Sequence, residues 1–410
     1  MTTLNEKTLR TASGRREGAV LVLGSSLTVM GAVMVAPVMP QIGAEFGPTT
    51  AHADALVPLV VAGPALAIAL FAPLAGWLAD RIGRKNLLLL GTLFYALLGA
   101  LPLLLHDLLS IVVVRLLFGC AEAAVMTCCA TLIADYWHGE ERMRYVNRQV
   151  VTIGSVGALF FVAGGALGEH SWRLPFALYL LPLLLLPLMA RWLWEPPRQA
   201  AQQPVAGERG RVALGSLLIG YALVFVGMIL TFVVPVQTPG LLVAMGVTSS
   251  TLIGLSAGLG LLSTLLGSLL WPLVRRSLGV AGGNALLLVL LGVGLWLLMR
   301  ATSYSAVLLA VFCHGVGAGL LVPNVMAPVM NALTARTRGR GLGVFTACLY
   351  LGQFISPMVV LGVAAFAGSV AQAIFCMALA GLCLAALCAA VAVQRRQLAR
   401  ADLSPLNHQE

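Results

Sequence analysis

This chain of 410 residues carries little charge and almost no lysine. Only 10% of its residues are Asp, Glu, Lys or Arg, and just Lys7 and Lys85 among its 25 cations are lysines. So few charges cannot cover a soluble surface of this size, which excludes a soluble enzyme and a disordered regulator. The eight cysteines (Cys120, Cys128, Cys129, Cys313, Cys348, Cys376, Cys383 and Cys388) fall in apolar stretches and lack metal-ligand spacing. Neither a disulfide framework nor a zinc site is expected from them. No glycine-rich phosphate loop is present, so no ATP chemistry and no cofactor are expected. One G-x-S-x-G string, Gly254-Leu255-Ser256-Ala257-Gly258, lies inside an apolar stretch. Serine hydrolysis needs a strand-to-helix elbow there, so small-residue helix packing is the expected role.

What the chain has in excess is apolar length. Sixty percent of 410 is 246 hydrophobic residues. At roughly 20 residues per crossing this supplies about a dozen membrane helices. Apolar runs place them near 18–40, 54–79, 86–105, 108–135, 146–168, 173–194, 212–236, 248–273, 281–300, 303–331, 341–365 and 370–393. In lipid each backbone must satisfy its own hydrogen bonds, so such runs are helices.

The cations test this layout. Of the 25 lysines and arginines, 22 fall in the two tails or in loops after even-numbered spans. The exceptions are Arg115, inside span 4, and Arg173 and Arg300 on the other side. The positive-inside rule then places both termini in the cytoplasm. The net charge of +10 therefore reflects topology and gives no reason to expect nucleic acid as a partner. All seven tryptophans (Trp77, Trp137, Trp172, Trp192, Trp194, Trp271 and Trp296) fall at span ends, where indoles favour the membrane interface. The basic N-terminus leads into a run too long for a secretory h-region and straight on to another span, so it is read as a retained first helix.

The longest polar connection, 195–211, separates six spans from six. A weak repeat at an offset of 196 supports the division: Gly83 maps to Gly279, and Gly119 to Gly315. The expected organisation is a tail at 1–17, a bundle at 18–194, the linker, a second bundle at 212–394 and a tail at 395–410.

After span 2 the chain reads Gly76-Trp77-Leu78-Ala79-Asp80-Arg81-Ile82-Gly83-Arg84-Lys85. This resembles the signature loop of the major facilitator superfamily, G-x-L-a-D-r-x-G-r-k, at the place the family has it. Arg115-Leu116-Leu117-Phe118-Gly119 resembles the family's R-x-x-x-G in the fourth span, and Trp172-Arg173-Leu174-Pro175-Phe176 its W-R-x-x-F entry to the sixth. Arg276 stands where the second repeat would carry the counterpart of Asp80. The resemblance covers about residues 18–394. It implies an all-α membrane fold of twelve helices in two pseudo-symmetric six-helix bundles that rock about a midplane site. Spans 1, 4, 7 and 10 would line the cavity. Gly76, Asp80, Arg81, Gly83 and Arg84 would form a conformational gate, completed by Asp135 or Glu140. Drug antiporters often show G-x-x-x-G-P-x-x-G-G in span 5; here Gly164-Gly165 match its end, but Phe160-Phe161 replace the Gly-Pro.

An ionisable residue at membrane depth is functional by default. Glu122 is the one carboxylate of the fifteen placed deep in a span. Seven residues from Arg115, it shares a helix face at roughly 10 Å of rise. Glu122 is the leading proton-coupling group, and Arg115 could hold an anion or pair structurally. His314, in the corresponding span of the second half, could bind substrate or relay protons, or simply pack. Tyr221, Thr231, Gln237, Asn324, Tyr350 and Gln353 are further candidates for the path. Gly352-Gln353-Phe354-Ile355-Ser356-Pro357 is a candidate hinge in span 11. The expected activity is proton-coupled export of a small organic molecule such as a drug or a siderophore-like metabolite, with uptake of an organic anion as the alternative. The expected partners are substrate, protons and lipid; the expected state is a monomer in a bacterial inner membrane.

Overall fold

The computed structural model describes residues 15–196, 214–334 and 337–403. The outer parts of both tails, most of the 195–211 linker, and with them Lys7, Arg10, Arg198, Arg209, Arg211 and Arg336, lie outside the described residues.

Twelve spans account for nearly everything described. In the first half they are Arg16–Phe46, Ala53–Ile82, Arg84–Leu103, Leu108–Tyr136, Gly139–Gly168 and Leu174–Trp192. In the second, Leu214–Ala244 is followed by one continuous run, Ser250–Arg300, then Tyr304–Ala332, Arg338–Ala367 and Val370–Gln394. The 51-residue run would be about 76 Å long as a straight helix, far more than a bilayer needs. It is two spans broken at Gly279, whose φ of 69° and ψ of −168° are not helical. Spans 8 and 9 therefore occupy 250–278 and 280–300, with Arg275 and Arg276 at the turn between them.

The repeat at offset 196 is visible in the backbone. Gly83 turns the chain between spans 2 and 3 with φ of 96°, and Gly279 does the same between spans 8 and 9. Both conformations are costly for any residue with a β-carbon. Gly119 packs directly on the Pro64 backbone and Ala67, while Gly315 packs on the Gly260 backbone and Ser263. Each partner pair is again 196 apart, so span 4 crosses span 2 in the first half as span 10 crosses span 8 in the second. A methyl group at either glycine would collide with its neighbour.

Buried apolar side chains gather into two clusters. One is built almost wholly from the first six spans, with Phe232 and Val236 added, and the other from the last six. Outside them the surface is apolar too: Leu70, Leu184, Ile219 and Leu387 are each more than 60% exposed. Such a belt suits acyl chains and would be an aggregation hazard in water.

Proline shapes two of the cavity-forming helices. Span 1 is an α-helix only to Val33, then a 3-10 turn at Ala36–Val38, then a short helix at Met39–Phe46. Pro37 and Pro40 lack the N–H groups that would serve the carbonyls of Val33 and Ala36, which is why the helix breaks. Span 7 carries Pro235 and Pro239 in its interior.

Candidate functional site

A cavity of about 360 Å³ lies at mid-depth between the halves. It is lined from spans 1, 2, 4 and 5 on one side and from spans 7, 8, 10 and 11 on the other. Its walls are largely apolar, with Glu122, His314, Thr231, Tyr350 and Gln353 among the polar groups, a composition suited to an organic ligand. Thr28 and Thr264 also face it. Tyr350 reaches across from span 11 toward the Met126 sulfur on span 4, at 3.1 Å.

Glu122 is brought to the cavity by span 4 and is only 3% exposed. Its carboxylate rests on Gly31 of span 1, where a β-carbon would come within 2.7 Å of Oε2. Glycine at 31 is what lets the two helices close around the acid. The carboxylate makes no hydrogen bond among the described residues, so it remains available to a proton or a ligand.

Arg115 takes a different place. Its side chain is wholly buried, and it is not among the residues lining the cavity. Nε donates to the Val60 carbonyl at 2.8 Å, Nη1 to the Tyr179 hydroxyl at 3.3 Å, and Nη2 to the Gly31 carbonyl. The acceptors explain themselves. Val60 would normally receive the N–H of residue 64, but that residue is proline, so its carbonyl is free. Gly31 lies among the last carbonyls of the broken first helix, which have no helical donor and carry the negative end of its dipole. The Phe118 ring lies 4.5 Å from the guanidinium carbon. Tyr179 in turn donates to the Gly31 carbonyl at 2.8 Å, and Tyr95 to the Leu27 carbonyl at 2.6 Å. Arg115 thus ties spans 1, 2 and 6 to span 4. The anion-holding role considered from the sequence does not fit this placement, because each guanidinium nitrogen is already engaged.

His314 lines the cavity from span 10 and is 2% exposed. Its Nε2 lies 3.2 Å from the Leu230 carbonyl. A carbonyl can only accept, so Nε2 carries the hydrogen and Nδ1 is the nitrogen left for other contacts. Leu230 sits one residue before Thr231, whose carbonyl Pro235 deprives of its donor.

Three proposed path residues lie elsewhere. The Tyr221 hydroxyl donates to the Gly341 carbonyl, pinning span 7 to the start of span 11. Asn324 is buried among Trp271, Asn284 and the Val280 carbonyl, joining spans 8, 9 and 10. Gln237 is half-buried beyond the lining residues of span 7. Tyr221 and Asn324 satisfy helix-to-helix contacts, which sequence spacing alone does not distinguish from a cavity face.

In the signature loop, Arg84 pairs with Asp135 from the end of span 4 and lies 3.8 Å from Asp80. Glu140 pairs instead with the exposed Arg144, at 3.8 Å. Arg81 stacks its guanidinium 4.2 Å from the Trp77 ring centre. At Gly76, another of the expected gate residues, a β-carbon would meet nothing within 4 Å. Asp80 likewise has 73% of its side chain exposed. No sequence motif singles out Glu195, whose carboxylate accepts from the backbone N–H groups of Arg84 and Lys85 at 2.8 and 2.9 Å. It caps the N-terminus of span 3 from 110 residues away, where an anion complements the helix dipole.

Contacts between the halves are built at the opposite face. Gln41 of span 1 donates to the Gly168 carbonyl at the end of span 5 and to the Ser250 hydroxyl at the start of span 8. Glu169 accepts from the Ser249 hydroxyl at 2.5 Å and the Thr251 N–H at 2.8 Å. These bonds hold the exposed Glu169 carboxyl below the usual carboxylate range. Gly165 and Gly254 let spans 5 and 8 touch backbone to backbone beneath this latch. Further along that face, Glu45 accepts from the Trp172 indole and pairs with Arg173, which accounts physically for the Trp-Arg entry to span 6.

Two six-helix halves around a midplane cavity, latched at one face, define the fold of a secondary membrane transporter. The family model described as the Major Facilitator Superfamily matches residues 21–357, and the chain belongs to that family. The gallate transporter of Pseudomonas putida is 32% identical over 201 residues, covering 48% of this chain and 42% of that protein. The quinolone resistance protein NorA of Staphylococcus aureus strain Mu50 is 27% identical over 157 residues, covering 38% and 39% of the two chains. The matches therefore span less than half the length of either relative. Among solved structures, a bacterial homolog of the human lysosomal transporter Spinster, inward-facing and unoccupied, aligns with a TM-score of 0.72 at 15% identity over 92% of this chain and 96% of that one. The D-xylose-proton symporter aligns with a TM-score of 0.72 at 18% identity, covering 91% and 96%.

Proposed function

We propose that this protein exports a small organic molecule in exchange for protons, by alternating access about the central cavity. The observation that carries this reading is Glu122, a carboxylate with no bonded partner among the described residues, facing a cavity shared by both halves. A buried acid at mid-depth can carry a proton across while the cavity changes its opening. NorA, named for quinolone resistance, lends the export direction. The bundles at 18–194 and 212–394 are the moving units, joined by 195–211, and the working form is a monomer. Transport, without covalent chemistry, is the whole activity.

The positive-inside rule puts the basic loops and both termini in the cytoplasm of a bacterial inner membrane. The Gln41 and Glu169 latch then closes the outer face, and the cavity faces inward. Gly76, Asp80, Arg81, Gly83, Arg84 and Asp135 form the cytoplasmic gate. Here it is parted, which accounts for the open space beside Gly76 and the exposed Asp80. On reversal, Asp80 would meet the other half.

The test is exchange in proteoliposomes under an imposed pH gradient. Glu122→Gln should lower proton-driven exchange about 100-fold while a neutral ligand still binds. Unchanged coupling would remove Glu122 from the mechanism. A second reading, proton-coupled uptake of an organic anion, is favoured by the names of two relatives, the gallate transporter and the cis,cis-muconate transport protein of Acinetobacter baylyi. Deleting the gene decides direction: a compound that builds up inside the cell marks an exporter, and one that fails to enter marks an uptake system.

A further inference from the structure

We infer that the cavity selects cationic or neutral aromatic molecules over anions, with Glu122 as the counter-charge. This rests on the reading of the cavity as the transport site and adds a substrate class to it.

Three observations carry the inference. Among the described residues, neither lysine nor arginine lines the cavity, whereas one carboxylate does. The nearest guanidinium, Arg115, is engaged by the carbonyls of Val60 and Gly31 and the Tyr179 hydroxyl, and cannot turn inward without stranding them. Phe161, Phe232 and Tyr350 offer aromatic surface from spans 5, 7 and 11.

An anion entering this space would leave its water for apolar walls and meet a like charge. A cation would meet an opposite charge and the negative faces of aromatic rings, and both offset its lost hydration. His314 is the one lining group that could reverse this balance, because a protonated imidazole is a cation. Its Nε2 is held by the Leu230 carbonyl, so only Nδ1 could reach a ligand. The relatives named for gallate and muconate would suggest an anion site. The lining of this cavity points the other way. Competition between a cationic substrate and a proton for Glu122 would also couple the two fluxes without a second acid, since the carboxylate serves one at a time.

The experiment uses three ligands built on one ring system: 1-naphthylmethylammonium, 1-naphthalenemethanol and 1-naphthoate. Their binding to the purified full-length protein is measured in detergent at neutral pH, and their transport in proteoliposomes. The expected order is ammonium, then alcohol, then carboxylate, with the cation at least about tenfold tighter than the anion. Glu122→Gln should bring cation and alcohol to within about threefold of each other while leaving alcohol binding intact. Glu122→Asp, which keeps the charge, should retain the preference for the cation. Absence of ammonium binding to the wild-type protein would overturn the inference, as would a charge preference that survives Glu122→Gln. Tighter naphthoate binding, lost in His314→Gln, would overturn it in favour of an anion site at the imidazole. The broader reading fails separately. Should the binding order hold while none of the three ligands crosses the membrane, charge selection stands and transport through this cavity falls.

Discussion

Spans 4 and 10 occupy equivalent places in the two halves, yet they handle polarity in opposite ways. Their crossings are alike, with Gly119 on Pro64 and Gly315 on Gly260. At an offset of 196, Arg115 corresponds to Val311 and Glu122 to Ala318. Span 4 therefore carries a buried cation and a cavity-facing acid where span 10 carries small apolar groups. Span 10 contributes His314 instead, held by a single bond to span 7. The shared glycine crossings define the fold, and the unshared charges define what the fold can do. The first half carries the deep charges, while the second supplies apolar surface, neutral polar groups and one imidazole.

The sharpest break of this comparison is removal of Arg115. Arg115→Met should cost roughly 3–5 kcal/mol, because it leaves several buried acceptors without a donor. Val311→Ala at the equivalent place should cost only about 1–2 kcal/mol, the price of a small apolar truncation. Chemical denaturation in mixed micelles would measure both. Arg115→Lys should also be damaging, and equally so for neutral and charged ligands; a loss confined to anions would contradict the structural placement of the guanidinium.

Next in size are the crossings. Gly119→Val and Gly315→Val each force a branched side chain against a neighbouring backbone, and each should destabilise by about 1–3 kcal/mol or more. Similar losses in thermal stability would confirm that the halves share this packing, whereas a loss in one alone would break the equivalence. A smaller effect is expected at the imidazole. His314→Leu forfeits one hydrogen bond and leaves the Leu230 carbonyl without it, for about 1–2 kcal/mol in the same unfolding assay.

The smallest effect is the most informative about motion. Glu169 joins the halves at the face away from the signature loop, and its carboxyl is held below the ordinary carboxylate range by Ser249 and Thr251. Because the latched state lowers this pKa, the latch is at full strength above the ordinary carboxylate value. It weakens as pH falls through the lowered value. Glu169→Gln should therefore shift the population toward outer-face opening at neutral pH and abolish that acid-dependent component. Electron paramagnetic distances between labels across the two outer rims would read both changes.

The spans and their order were legible because bilayer thickness imposes a length on every apolar run, and because arginines collect on one side. Gly279 shows the strength of that reading: the chain is helical on either side of it, and two arginines and a glycine mark the turn between spans 8 and 9. Glu122 was legible as a lone acid at depth. The role of Arg115 was not, since its backbone acceptors are carbonyls on spans 1 and 2, freed by the end of the first helix and by Pro64. The same holds for Asn324 and Tyr221, whose partners lie on other helices. Glu195 was missed altogether, because a cap supplied from 110 residues away leaves no local pattern.

What the sequence determined by itself is a membrane protein of paired bundles with a single deep carboxylate. Water excludes so much apolar surface, lipid demands closed backbone hydrogen bonding, and both constraints act on local composition. What only the tertiary structure decided is which polar groups face the cavity and which face one another. That choice depends on free carbonyls, helix rotation and the closeness of backbones at glycines, all of which arise between segments distant in the chain.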